Sequence, residues 1–295
     1  AANWRITYLI GAIPLLYAVL LFFLMRETPH WYANAGRREE AVKRIQEIQR
    51  TAGKPVTDLD PSLLKIPPKP VKSHPGVLFT RKYVMVTCGL FTAYFIGQFC
   101  IFGMNAWIPA WFRVIGYTAE QATNLQTFNN VAAILSNISV GFVSDIVGRK
   151  RNLAFGWLFS IVAIVVCSTF VVPSNYVLCI ALMLLFGFAL NYTITAVQPM
   201  MAESYPTQIR NTGVSWCQAF ARFGGALAPI ILGGLATSAA FQGPNPATGA
   251  IGTNWGLLVL VLVIPLALAF VLTLVFFRRE TKGKSLDVIA EEIEN

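Results

Sequence analysis

The sequence predicts an all-α polytopic membrane protein, and three observations carry that prediction. Apolar residues fill 55% of the 295 positions and charged residues only 13%, with a mean hydropathy of +0.58. A soluble domain carries roughly 25% charged residues, so an ordinary cytosolic enzyme, a disordered chain and a small secreted scaffold are excluded. The apolar residues also gather into seven long stretches, and Lys and Arg concentrate in alternate connections between them. The net charge of +9 would suit a nucleic-acid partner only if the basic residues lined one globular face. They lie between apolar runs instead, so a lipid bilayer is the expected partner and nucleic acid is not.

A hydrocarbon core of about 30 Å takes roughly 20 residues of helix to cross. The stretches that qualify are residues 4–25, 83–108, 124–144, 153–172, 176–201, 212–236 and 255–277. The third is the weakest, because Asn129, Asn130, Ser136 and Asn137 interrupt it. Pro173-Ser174-Asn175 and Gly243-Pro244-Asn245-Pro246 punctuate the chain between spans. Trp4, Trp107, Trp111 and Trp255 sit at span ends, where interfacial rings are expected. If the first span exits to the cytoplasm, that side receives twenty of the 23 basic residues, which orients the protein and makes the tail cytoplasmic.

The chain then divides into a first span at 1–25, a cytoplasmic loop at 26–82, a six-span block at 83–277 and a tail at 278–295. Within the loop, residues 37–48 read as an amphipathic helix. Its stripe is Ala41, Ile45 and Ile48, and Glu39/Lys43 and Glu40/Arg44 are i,i+4 pairs. Residues 61–75 read as an extended, Pro-rich basic linker. All five cysteines fall in apolar stretches, with no CxxC and no His beside them, so reduced, buried thiols are expected. His30 and His74 lie in polar segments. No cofactor, metal site or enzymatic constellation is expected: no span holds a mid-helix Lys for retinal, paired Asp, a Ser/His pair or HExxH.

An internal repeat adds to this. Trp4 and Trp255 each open an apolar helix, Pro14 and Pro265 each follow by ten residues, and each helix ends in Arg-Glu-Thr (Arg26-Glu27-Thr28 and Arg279-Glu280-Thr281). One helix type recurring after six spans implies two parallel six-helix halves. The first span would then close the first half, and about five helices would precede it.

The loop after the third span contains Gly141-Phe-Val-Ser-Asp145-Ile-Val-Gly148-Arg149-Lys150-Arg151. It resembles the G-x3-D-x2-G-R-K/R signature of the major facilitator superfamily. Arg26-Glu27-Thr28-Pro29-His30-Trp31 resembles that superfamily's P-E-S-P-R-W after helix six. Glu203-Ser-Tyr205-Pro206-Thr-Gln-Ile-Arg210-Asn-Thr-Gly213 resembles the E-x-Y/F-P-x3-R-x-T-G between helices ten and eleven. Glu280-Thr281-Lys282-Gly283-Lys284-Ser285-Leu286 resembles P-E-T-K-G-K-S-L after helix twelve. Thr28, His30 and Arg279 depart from the pattern. The resemblance implies a major facilitator fold, with seven helices of an expected twelve present here. It also implies a cytoplasmic gate that draws on Gly141, Asp145, Gly148, Arg149, Lys150, Glu203, Arg210 and Glu280. Physically, the glycines would let helices approach and the chain reverse, Asp145 would cap a neighbouring helix N-terminus, and Arg149 would fork onto carboxylates.

One formal charge lies deep in a span. Arg222 sits about 16 Å along its helix from Asn211, where insertion costs about 2.5–3.5 kcal/mol. No Asp or Glu lies in any span away from its ends. Arg222 therefore either pairs with a carboxylate in the preceding helices or is held for an anionic substrate. Gln218 is one turn earlier on the same face. Tyr94, Gln98, Asn130, Asn191, Tyr192 and Thr195 are further mid-depth polar groups that could complete a site, and Phe91, Phe95 and Phe99 flank Tyr94. The run from Ala219 to Pro229 resembles the V-A-R-x-G-G-x-x-A-P stretch of helix eleven in organic-ion transporters, where Arg accompanies anion carriers and an acid accompanies cation carriers. That group includes bacterial proton symporters for aromatic acids and nicotinate. The resemblance thus implies a proton-coupled carrier of a small organic anion in the cell membrane. A sugar or polyol porter, and a non-transporting sensor on the same fold, are the alternatives.

Overall fold

The computed structural model describes residues 4–25, 27–63, 74–171, 175–206, 209–244 and 251–276. The chain forms two compact units, Ala1–Val71 and Lys72–Asn295.

In the first unit, α1 (Trp4–Gly11) and α2 (Ile13–Leu24) make up the first apolar stretch, broken at Ala12, just before Pro14. Proline lacks the amide that would continue the helical ladder. Thr28 caps α3 (Pro29–Asn34) by accepting from the Trp31 amide at 3.3 Å. The amphipathic helix is present as α4 (Arg38–Thr51), but its stripe differs from the expected one. Ala41 and Val42 are buried, Ile45 is half-buried and Ile48 is exposed. Its ion pairs are Arg37–Glu40 at 2.6 Å and Arg44–Glu47 at 2.7 Å, both i,i+3. Arg37 precedes the helix and can turn back over its first turn, so it takes Glu40 away from Arg44. The linker begins with a short 3-10 turn, Pro61–Leu63, and most of the rest of it lies outside the described residues.

The second unit has another 3-10 turn, Pro75–Phe79, beginning at the last residue of the expected linker. Leu78 is fully buried there, and its carbonyl accepts from Thr87 Oγ1 at 3.0 Å. Five unbroken helices follow: α5 (Val84–Val114), α6 (Ala119–Val147), α7 (Arg149–Phe170), α8 (Tyr176–Glu203) and α9 (Arg210–Thr237). The last span divides into α10 (Trp255–Leu260) and α11 (Val263–Phe276). Its break precedes Pro265 as the break at Ala12 precedes Pro14, so both copies of the sequence repeat share this interruption. With α10 and α11 taken together, six helices among the described residues are long and apolar enough to cross a membrane, and residues 8–24 add a shorter apolar helix.

Helix starts follow local chemistry. Thr118 and Gln121 form a capping box on α6, Asn175 caps α8 and Asn254 caps α10. A two-stranded hairpin, β1 (Gln242–Pro244) with β2 (Ile251–Thr253), joins α9 to α10 and is the one departure from an all-α chain among the described residues. The weak third span is a full helix. Its Asn129 and Ser136 are buried, and Asn137 accepts from Thr195 Oγ1 at 2.6 Å.

The unit pairs α5 with α9 and α6 with α8, with α7 packed against α8, α10 and α11. Small residues permit these approaches. A Cβ on Gly187 would lie 2.3 Å from the Asn129 carbonyl oxygen, and one on Gly224 would lie 2.6 Å from the Phe95 carbonyl oxygen. Trp111 and Trp255 are buried against the protein, and half-buried Trp107 donates to the Pro229 carbonyl at 3.1 Å. These rings fill space between tightly packed helices. Cys100, Cys167, Cys179 and Cys217 are free and buried as expected, whereas Cys88 is exposed.

Candidate functional site

Helix α9 buries Gly213, Cys217, Ala221, Gly224, Gly225, Ala228, Leu232 and Ala236. It leaves two other faces open, and they differ in chemistry. One carries Trp216, Phe220, Phe223, Leu227 and Ile230, all exposed and large, as lipid-facing positions require. The other is a helical stripe of exposed Ser215, Gln218, Ala219, Arg222 and Ala226. A guanidinium at mid-helix belongs on a face that meets water or a partner, and the second stripe supplies that face. Arg222 has no ion pair among the described residues. Its guanidinium carbon stands 5.9 Å from the Phe102 ring centroid, a cation–π distance.

Phe102 is itself 41% exposed, and Asn105 is three residues further along α5. From α6, Gln126 donates to Asn105 Oδ1 at 3.0 Å and to Asn130 Oδ1 at 3.4 Å. Asn191 from α8 lines the same narrow cleft as Asn105 and Asn129, with its own amide nitrogen donating to the Gly187 carbonyl at 2.9 Å. Gln126, Asn130 and Asn137 fall on one stripe of α6 at spacings of four and seven residues. Three helices thus bring a run of side-chain amides together beside the aromatic that Arg222 touches.

Of the residues singled out by sequence, Arg222 and Gln218 share the exposed stripe of α9, while Asn130 and Asn191 join the amide cluster. Gln98 and Tyr94 are buried, on the α5 stripe that runs through Ile101 to Asn105. Tyr192 is turned toward α7, where its hydroxyl donates to Asn152 Oδ1. Phe102, Asn105, Gln126 and Asn137 were not singled out. The asparagines of the third span counted as weakness in an apolar run, and their regular spacing with Gln126 was the signal that went unread.

At the start of α7 a second polar cluster forms around Arg149. Its Nε donates to Glu203 Oε1 at 3.0 Å, its Nη1 donates to the Ser144 carbonyl at 3.0 Å, and Asp145 lies 2.9 Å from Nη1. One guanidinium therefore ties together the end of α6, the start of α7 and the end of α8. Asp145 serves as its partner rather than as a helix cap, because the four-residue spacing brings it to Arg149. Gly148 has φ 101°, ψ 156°, a conformation essentially reserved for glycine, and it makes the reversal. Gly141 is exposed and a Cβ there would touch nothing, so among the described residues it supports no helix approach. Lys150 is half-buried beside Arg149. Arg210 donates to the Tyr205 carbonyl at 3.3 Å, and a Cβ on Gly213 would strike the Tyr205 ring at 2.5 Å. Tyr205, fully buried, donates to Thr87 at 3.1 Å. Glu280 lies outside the described residues.

Residues 114–294 match the family described as the Major Facilitator Superfamily. The chain belongs to that superfamily. Its curated relatives are transporters, not enzymes. They include a 4-hydroxybenzoate transporter of Acinetobacter baylyi, 28% identical over 91% of this chain, and a niacin transporter of the same organism, 28% identical over 97%. The chain spans 56% and 61% of the lengths of those two proteins. A proton:xylose symporter bound to a bromodeoxyglucose superposes with a TM-score of 0.64 over 98% of this chain and 59% of its own. At 16% sequence identity, that likeness shows a shared superfamily fold.

Proposed function

We propose that this chain forms part of a secondary active carrier for a small organic anion, a monocarboxylate bearing an aromatic ring, with Arg222 as the anion contact. The observation that carries the reading is the exposed guanidinium of Arg222 at mid-helix, on a stripe of small and polar residues, without an acidic partner among the described residues. A forked, permanently charged group in a low-dielectric setting suits a carboxylate and suits a neutral sugar poorly. The adjoining Phe102 offers a ring face. The relatives named for 4-hydroxybenzoate, niacin, cis,cis-muconate and gallate transport support the substrate class.

In this reading Arg222, Gln218, Asn130 and Asn191 face the transported guest, while Tyr94 and Gln98 back them from within α5. The remaining helices of a twelve-helix carrier supply the opposite wall, and the halves rock about the site. Arg149, with Asp145 and Glu203, stiffens the cytoplasmic end of this half and belongs to the gate with Lys150, Arg210 and Glu280. The carrier sits in the cell membrane with its tail in the cytoplasm, as the placement of the basic residues supports. Transport is coupled to protons, and the proton-carrying group lies on the opposite wall.

The test is uptake of labelled benzoate, nicotinate and a hexose by the full-length carrier in proteoliposomes, with and without a pH gradient. Arg222→Ala abolishes acid uptake with expression intact, and Arg222→Lys retains little because lysine lacks the fork. Unchanged acid uptake in either variant removes Arg222 from the site, and hexose uptake by the wild type replaces the substrate class.

A further inference from the structure

The amide cluster beside Phe102 has hydrogen-bonding capacity that the described residues do not use. Gln126 spends its amide nitrogen on Asn105 and Asn130. Its Oε1 is screened from solvent and has no partner among the described residues. Three amides contribute both donors and acceptors. Two shared hydrogen bonds leave some of each over, whichever way the amides are turned. In a membrane protein such leftover groups are costly to keep; Gln126 Oε1 is screened from solvent, and Asn130, one turn further along α6, is exposed. The cluster carries no formal charge.

Its position relative to Arg222 follows from α5. Phe102 touches the guanidinium, and Asn105 stands three residues further on, a rise of about 4.5 Å. Gly224 and Gly225 of α9 lie against Phe95 and Phe102, and Gly233 against Trp107, so α5 and α9 run parallel. Arg222 sits on the Phe95 side while Asn105 lies beyond Phe102; the order is cation, ring, amides. We infer that Asn105, Gln126 and Asn130 form a neutral subsite that reads a hydrogen-bonding substituent on the edge of an aromatic acid remote from its carboxylate. This rests on the anion reading of Arg222. The substrate class it selects is an aromatic monocarboxylate with a hydroxyl group or a ring nitrogen at that edge. The hydroxyl gives a proton to an amide oxygen and accepts one from an amide nitrogen, so it answers both kinds of leftover group. A methyl group of similar size answers neither and strands them.

The experiment uses the full-length carrier in proteoliposomes. Inhibition of labelled benzoate uptake is compared for benzoates carrying hydroxyl or methyl opposite the carboxylate. In the wild type the hydroxyl compound inhibits at about tenfold lower concentration than the methyl compound, the equivalent of one hydrogen bond. In Asn105→Ala and in Gln126→Leu that preference collapses toward unity while benzoate itself is still carried. The wild-type comparison needs no variant to fold. Equal inhibition by the two compounds in the wild type overturns the subsite, and so does a tenfold preference that survives in both variants. If Arg222→Ala abolishes benzoate uptake in either of those cases, the anion reading stands and only the subsite falls. If Arg222→Ala carries benzoate normally, the anion reading falls and takes the subsite with it.

Discussion

Replacing Gly187 by alanine tests the packing that positions the amide cluster. The new methyl would begin 2.3 Å from the Asn129 carbonyl oxygen and 2.9 Å from that residue's carbonyl carbon and side-chain nitrogen. A carbon and a carbonyl oxygen settle at about 3.3 Å or more. To accommodate the methyl, α6 and α8 would have to part by about 1 Å at a point where backbone faces backbone and no flexible side chain can yield. Overpacking of this kind costs about 1–3 kcal/mol, which lowers the apparent melting temperature by about 2–10 °C. The same displacement moves Asn191, whose amide is anchored on the Gly187 carbonyl, relative to Asn105 across the cleft. Thermal unfolding of purified Gly187→Ala in detergent provides the measurement, with Gly234→Ala as the control. A Cβ on Gly234 meets nothing within 4 Å, so that variant gains helix propensity, up to about 1 kcal/mol, and melts no lower than the wild type. If Gly187→Ala melts with the wild type, the close approach of α6 and α8 is not a feature of the folded protein.

Three further outcomes follow from the Arg149 end of the helices. Glu203→Gln removes a charge-assisted hydrogen bond between side chains each only 20% exposed, costing about 1.5–3 kcal/mol, whereas Asp145→Asn, at 73% exposure, costs about 0–1 kcal/mol; melting curves that rank them the other way contradict this account of Arg149. Gly148→Ala forces alanine into a backbone conformation that costs about 1–3 kcal/mol, seen as a lower melting temperature, and an unchanged value rejects the turn. Tyr205→Phe deletes the buried hydrogen bond to Thr87 for about 1 kcal/mol, while the Thr87 hydroxyl keeps its own acceptor on Leu78.

The helical spans and the exposed charge of Arg222 were legible because each is a contrast against an apolar background. Arg222 interrupts a long run without acids, and the two proline-bearing helices repeat after six spans. Polar uncharged residues offer no such contrast. Tyr192 and Asn191 are neighbours at the same depth, yet one hydroxyl is committed to Asn152 on α7 while the other side chain lines a cleft against α5. Which of them faces the cleft against α5 depends on how α8 is rotated against its neighbours. That rotation is set by contacts such as Gly187 on Asn129, between residues nearly sixty positions apart. Local charges settled two further points. The four-residue spacing brings Asp145 to Arg149 instead of to a helix N-terminus, and Arg37, just outside the start of α4, takes Glu40 from Arg44.

The glycines along α9 have a mechanical consequence. Gly224 lies against the Phe95 backbone, Gly225 against the Phe102 ring and Gly233 against Trp107, while Gly103 of α5 receives Leu232. So little clearance at four levels leaves these two rods no freedom to slide or roll past one another. Arg222, Phe102 and Asn105 accordingly keep their mutual spacing, so in the proposed carrier a guest seated across them would meet one fixed arrangement of groups.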